Sequence, residues 1–133
     1  TEWPKADLLT AGFPCQPFSR SCDIKMRVHH KDRFFYEHVF DAIDASCAKM
    51  VVLENVRSLM CATGRPQLDA ILNAFHNRGF DTDYRVLDAA DFGLPQQRYR
   101  IYIVARRNSE SKLQIHPPAA HERTTLSSVL EPG

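Results

Sequence analysis

Residues 50–55, Met-Val-Val-Leu-Glu-Asn, decide the architecture. Four apolar residues, two of them adjacent valines, run without polar alternation. That pattern suits a strand at 50–53 buried on both faces, as in a parallel sheet covered by helices. The run ends in a carboxylate, Glu54, and an amide, Asn55. In open α/β sheets, ligands gather beyond the carboxyl ends of strands. Glu54 is therefore expected to be partly desolvated and able to hold a proton near neutral pH. A solvated strand terminus, or a cap for the next segment, is the plainer alternative.

Outward from this strand the pattern repeats. Residues 6–11, Ala-Asp-Leu-Leu-Thr-Ala, form a short apolar run stopped by Gly12 and Pro14, which predicts a strand and a sharp turn. Residues 19–33 are polar and basic and predict a long loop. A helix is expected over 34–48, with Phe35, Val39 and Ile43 on one face. Another is expected over 66–78, opened by Pro66 and closed by Gly79, with Leu68, Ile71, Leu72 and Phe75 as its apolar stripe. Strands follow at 84–88 and 100–105, joined through Asp91-Phe92-Gly93-Leu94-Pro95. No helix separates those two, so they should be antiparallel. The expected class is α/β, with a mainly parallel sheet and an antiparallel final strand. From residue 108 the chain is polar, with Pro117-Pro118, and reads as an exit towards another domain.

A chain of 133 residues suits one compact domain. With 44% hydrophobic and 25% charged residues, it is neither disordered nor low-complexity. A net charge of +1 predicts no polyanionic partner by itself, so local charge decides that question. No apolar run reaches the ~18 residues of a membrane span, and no signal peptide is evident. Cys15, Cys22, Cys47 and Cys61 fit neither paired zinc ligation nor a disulfide framework. They read as reduced thiols in a cytosol-like compartment.

Cys15 stands in Gly12-Phe13-Pro14-Cys15-Gln16-Pro17-Phe18-Ser19, a turn after a strand. Basic neighbours or oriented backbone N–H groups there would favour the reactive thiolate. The commoner fate of a free cysteine is a small buried hydrophobe. Gln96-Gln97-Arg98-Tyr99-Arg100 sets two arginines at i and i+2, on one side of a strand. Two forked guanidiniums suit phosphate or base oxygens, although paired surface arginines are the plainer reading. Arg20, Lys25, Arg27, Lys31 and Arg33 make the 19–33 loop basic enough for phosphate, or simply well solvated. His29-His30 is too short a feature to argue for a metal, and no metal ligand set is expected.

Together these pieces resemble the DNA cytosine-5 methyltransferase family. Pro14-Cys15-Gln16 resembles its nucleophile motif, Glu54-Asn55-Val56 its Glu-Asn-Val motif, and Gln96-x-Arg98-x-Arg100 its Gln-x-Arg-x-Arg motif. Tyr84–Ala89 and Asp91-Phe92-Gly93 resemble the stretch before the last of these. The match runs from residue 6 to 107 and keeps the family's order. The resemblance implies a fold of the Rossmann-like, S-adenosylmethionine-dependent type and a target cytosine flipped out of double-stranded DNA. Cys15 would add to C6, Glu54 would engage N3 and N4, and Arg100 would hold O2. Arg98 and Ser19 would position the nucleotide. Gln16, Arg20 and Asn55 complete the substrate set, and the loop 20–33 would close as a lid. Asp7, Pro14 and Phe34 are the implied cofactor neighbours.

The same resemblance implies a partial catalytic domain at 1–107, with the family's Gly-rich cofactor segment upstream. Residues 108–133 would lead to a target-recognition domain. Missing domains or a companion chain would then supply cofactor and sequence recognition. Restriction–modification in a bacterial-type cytoplasm is one setting, and a eukaryotic nucleus another. Methylation of tRNA shares these motifs. A non-catalytic nucleic-acid-binding subunit would not need the thiol. A thiol redox protein would need a resolving cysteine two or three positions from Cys15, which is absent.

Overall fold

The computed structural model describes residues 3–13, 35–107, 112–125 and 127. Four strands form one sheet: β1 (Leu8–Gly12), β2 (Met50–Val56), β3 (Phe80–Asp88) and β4 (Tyr99–Arg107). Helix α1 (Phe35–Ser46) precedes β2, and α2 (Arg65–His76) precedes β3. Short 3₁₀ turns follow β2 at Arg57–Met60 and β3 at Ala89–Phe92. The predicted basic loop at 19–33 lies outside the described residues.

The strand order is β1-β2-β4-β3. β1 pairs with β2 in parallel, whereas β4 is antiparallel to both β2 and β3. The α/β class and the reversed final strand are as expected. The expected mainly parallel sheet needs correction: three strands share a direction, yet only one of the three pairings is parallel. The reversed strand lies inside the sheet, not at its rim. Composition explains the placement. Ile101, Ile103 and Ala105 of β4 are buried, while β3 carries Asp81-Thr82-Asp83 after Phe80, which suits an edge.

Register organises the core. Val51 faces Ala105 and Leu53 faces Ile103 across β2 and β4. These four side chains are buried, and they belong to one core cluster with Ile43 of α1 and Leu68, Ile71 and Phe75 of α2. Phe75 meets Phe40 and Phe80 edge-on, with ring centroids 4.8 Å and 5.4 Å apart. Such pairs add about 0.5–1.5 kcal/mol each beyond area burial. Gly64 opens α2 because nothing larger fits: a Cβ there would lie 2.5 Å from the Ser58 carbonyl oxygen. Gly79, after the helix, has φ 76°, in the left-handed region that glycine enters freely.

Two strands are longer than their apolar runs. β2 continues through Val56, because Glu54, Asn55 and Val56 keep pairing with Tyr102, Ile101 and Arg100. Glu54 and Asn55 are therefore the last part of the strand, not residues beyond it. β3 starts at Phe80, four residues early. Its aspartates accept backbone N–H groups, Asp81 from Leu113 and Asp83 from Ile115 at 2.7 Å. Residues 112–125, read from sequence as an exit, are thus tied along β3. His121 N–H also donates to the Asp91 carbonyl at 2.7 Å.

Candidate active site

Of the expected site residues, Pro14, Cys15, Gln16, Ser19, Arg20 and Phe34 lie outside the described residues. Asp7, Glu54, Asn55, Arg98 and Arg100 lie within them. Strand alternation explains how the central three are used.

Residues 54 and 56 of β2 share one face, and so do 100 and 102 of β4. Glu54 is opposite Tyr102 and Val56 is opposite Arg100, so Glu54 and Arg100 are diagonal neighbours. Arg100 Nε forms an ion pair with Glu54 Oε1 at 2.9 Å. The pair is half-buried, with side-chain exposures of 23% for Arg100 and 37% for Glu54. The second oxygen, Oε2, hangs over the end of β1, where Gly12 is the register partner of Glu54. A Cβ at Gly12 would come within 3.3 Å of that oxygen, so glycine makes room for the carboxylate.

Asn55 points to the opposite face and is 3% exposed. Its Nδ2 donates to the Phe13 carbonyl at 3.2 Å, and its Oδ1 accepts the Val56 N–H at 2.8 Å. The amide thereby ties β2 to Phe13, just beyond the end of β1. Two adjacent residues of one strand thus present a carboxylate on one face and a structural tie on the other.

Arg98 precedes β4, and its side chain is exposed. Its backbone is held at both ends: N–H donates to Asp88 Oδ1 at 2.9 Å, and the carbonyl accepts Ala89 N–H at 3.1 Å. Arg98 and Arg100 line one open cleft of about 530 Å³, together with Arg57, Ser58, Gln97 and Tyr99. Both arginines thus line one cleft, but Arg98 lies just before the strand and only Arg100 reaches Glu54.

Asp88 was not singled out by motif, yet it anchors this segment. Burial pushes its carboxyl up, but the N–H groups of Arg98 and Ala90, the Tyr99 side chain and the Arg123 guanidinium outweigh that and hold it below the usual range. An aspartate at a strand end before a helical turn is a cap signal that sequence could have supplied. Arg57 was missed as well. Its guanidinium lies over the Tyr99 ring, 4.9 Å from the centroid.

Asp7 is not brought to this site. It precedes β1, and its carboxylate lies 2.7 Å from Lys49 Nζ, beside the other end of β2. The Lys49 hydrogen bond and charge lower the Asp7 carboxyl and raise the Lys49 ammonium. The larger cavity, about 730 Å³, is lined by Asp44, Cys47, Lys49 and Arg107 and holds none of the expected site residues. A smaller groove of about 260 Å³ runs along β1, lined largely by apolar groups including Trp3, Leu9, Phe13 and Val39. Among the described residues, no three His, Cys, Asp or Glu side chains gather as metal ligands, and no helix is long and apolar enough to cross a membrane.

A family model described as C-5 cytosine-specific DNA methylase matches residues 1–131. The Type II methyltransferase M.BsuFI of Bacillus subtilis is 38% identical over 93% of the chain and 33% of its own length. M.MspI of Moraxella sp is 32% identical over 89% of the chain and 28% of its own length. The chain thus spans about a third of the curated relatives it matches. Among solved structures, the methyltransferase EhMeth of Entamoeba histolytica superposes with a TM-score of 0.66 at 20% identity, covering 96% of the chain and 39% of EhMeth. That likeness bears on the fold alone.

Proposed function

Since the chain belongs to the C-5 cytosine-specific DNA methylase family, we propose that it carries the base-activating half of a DNA cytosine-5 methyltransferase. One observation supports this reading above the others. The Glu54 carboxylate is set between Arg100 at 2.9 Å and Gly12, three residues before Cys15. Three peptide steps span at most about 11 Å. Chain connectivity thus allows the Cys15 thiol to share one pyrimidine ring with this carboxylate and guanidinium.

Cytosine is a poor electrophile, so its ring must be polarised before a thiolate will add. N3 and O2 are adjacent on the ring, and a carboxyl group beside a guanidinium matches them. In this reading Glu54 hydrogen-bonds the N3 and N4 edge and places a proton on N3, while Arg100 steadies the charge at O2. The Cys15 thiolate then forms a bond to C6, and the ring electrons shift to C5. C5 takes the methyl group as a cation equivalent. Loss of the C5 proton to solvent and of the C6–sulfur bond restores the aromatic ring and frees the Cys15 thiolate, and N3 returns its proton to Glu54. The base reaches the site only when flipped out of the duplex. Arg98, Ser19, Gln16 and Arg20 hold the nucleotide, and Asn55 holds Phe13, two residues before Cys15.

S-adenosylmethionine, when bound, supplies the electrophilic methyl group from its sulfonium. Of its expected neighbours, Asp7 does not fit, because it lies at the far end of β1 against Lys49. The apolar groove along β1 offers a wall suited to a flat ring and no carboxylate. Pro14 and Phe34 stay proposed as cofactor neighbours. Target recognition, and any companion chain, belong to the same proposal.

Duplex DNA carrying 5-fluorocytosine, mixed with the protein and S-adenosylmethionine, tests this reading. Fluorine cannot leave C5 as a proton does, so turnover stops at a covalent adduct. Denaturing electrophoresis and peptide mapping should find the adduct on Cys15. Cys15→Ser should abolish it, and an adduct that survives this change refutes the nucleophile assignment.

A further inference from the structure

Two chain segments line the cleft of about 530 Å³. One supplies Arg57, Ser58 and Cys61, and the other supplies Gln97, Arg98 and Tyr99. No carboxylate lines it among the described residues. Arg100 is committed to Glu54, which leaves Arg57 and Arg98 as its available cations. Arg98 has no side-chain hydrogen bond or ion pair among the described residues, and Ser58 carries a buried hydroxyl oxygen with no partner among them.

Arg57 is the feature no motif explains. It follows the Glu-Asn-Val strand end and begins a 3₁₀ turn. That turn is rigid, because Gly64 packs against Ser58 and Leu59 with no space for a Cβ. The Tyr99 ring then fixes the guanidinium at 4.9 Å. A stacked arginine keeps its in-plane N–H groups for an oxygen ligand. The occupied ring face also argues against a stacked base in this position.

We infer that Arg57, together with Arg98 in the lining of this cleft, holds a backbone phosphodiester of the DNA strand beside the flipped nucleotide, with Tyr99 as the positioning residue. Two forked guanidiniums match the oxygens of one phosphate. The cleft adjoins the Glu54–Arg100 pair, since Val56 and Arg100 belong to its lining. The inference rests on the proposed function and adds a substrate contact to it.

The test is a salt titration of binding between the protein and a duplex oligonucleotide. Each neutralised phosphate contributes about 0.9 to the slope of log K against log salt. Arg57→Gln should reduce the slope by about that amount. Arg57→Lys, which keeps the charge, should largely restore it. Lys49→Gln, at the other end of β2, should leave the slope unchanged. Bound DNA should also slow alkylation of Cys61, at the cleft, but not of Cys47, in the distant cavity. An unchanged slope in Arg57→Gln, or equal protection of both thiols, overturns the inference. If the 5-fluorocytosine adduct still forms in that case, only the phosphate contact is lost. If the slope falls as expected but no adduct forms, the contact stands and the methylation reading falls.

Discussion

Two ion pairs flank β2, one near each end, and their geometry inverts their importance. Near the amino end, Lys49 and Asp7 approach to 2.7 Å, with side-chain exposures of 77% and 84%. Near the carboxyl end, Arg100 and Glu54 sit slightly farther apart, at 2.9 Å, and are half-buried. The shorter pair stands in solvent, where screening and side-chain entropy cancel most of its attraction. The amino end also borders the larger cavity. At the carboxyl end, Glu54 lies over Gly12 while Asn55 holds Phe13 from the other face. Proximity and cavity size therefore mislead here. Burial, strand alternation and a backbone tie mark the site.

The largest effect should come from Glu54→Gln, which keeps the shape and removes the carboxylate. Methyl transfer should fall by about 10²–10⁴-fold, the range of a lost acid–base group. Asp7→Asn at the other end should leave the rate unchanged. An equal loss in both variants would erase the contrast. Gly12→Ala comes next. The added methyl would crowd Oε2 at 3.3 Å, and a displaced carboxylate could cost up to about 10²-fold in rate. Single-turnover kinetics beside a thermal melt would separate that from unfolding.

Asn55→Ala removes a buried donor from the Phe13 carbonyl. Stability should drop by about 1–3 kcal/mol, read from urea unfolding. A loss near zero would mean that the tie is dispensable. The smallest effect belongs to pH at the amino end. The Asp7 carboxyl is lowered, so its contribution is full above the ordinary carboxylate range and fades as pH falls through its lowered value. The Lys49 ammonium is raised, so its contribution is full below the ordinary lysine range and fades as pH rises through its raised value. Between those limits the pair adds no slope. Wild type and Asp7→Asn should therefore show parallel stability curves from about pH 5 to 9. Curves that diverge within that window would contradict this account, because a pair of any strength with these shifts adds only a constant offset there.

Much of this was legible in the residues. The apolar run 50–53, the Leu68-to-Phe75 stripe and the Pro66 and Gly79 signals located β2 and α2 because burial and capping are local. The polar start of β3 was not legible. Asp81 and Asp83 look like loop residues until Leu113 and Ile115 supply their N–H groups from thirty-two positions away. The inward place of β4 likewise follows from competition between strands for the sheet interior. Within the site, Glu54 and Arg100 carry motif signals, but their contact depends on the β2–β4 register. Arg57 carries no such signal, and only the fold sets its guanidinium on Tyr99. Asp7 lies just before β1, at the end away from Glu54 and against Lys49.

The central claim is that one ring is attacked by Cys15 while Glu54 draws charge from it. Exchange of the C5 hydrogen of the target cytosine with solvent, in the absence of methyl donor, measures that step alone. Reversible addition at C6 makes C5 basic, so the wild-type protein should catalyse exchange. Cys15→Ser should abolish it, and Glu54→Gln should slow it about as much as it slows methyl transfer. Exchange that persists undiminished in either variant would contradict the account.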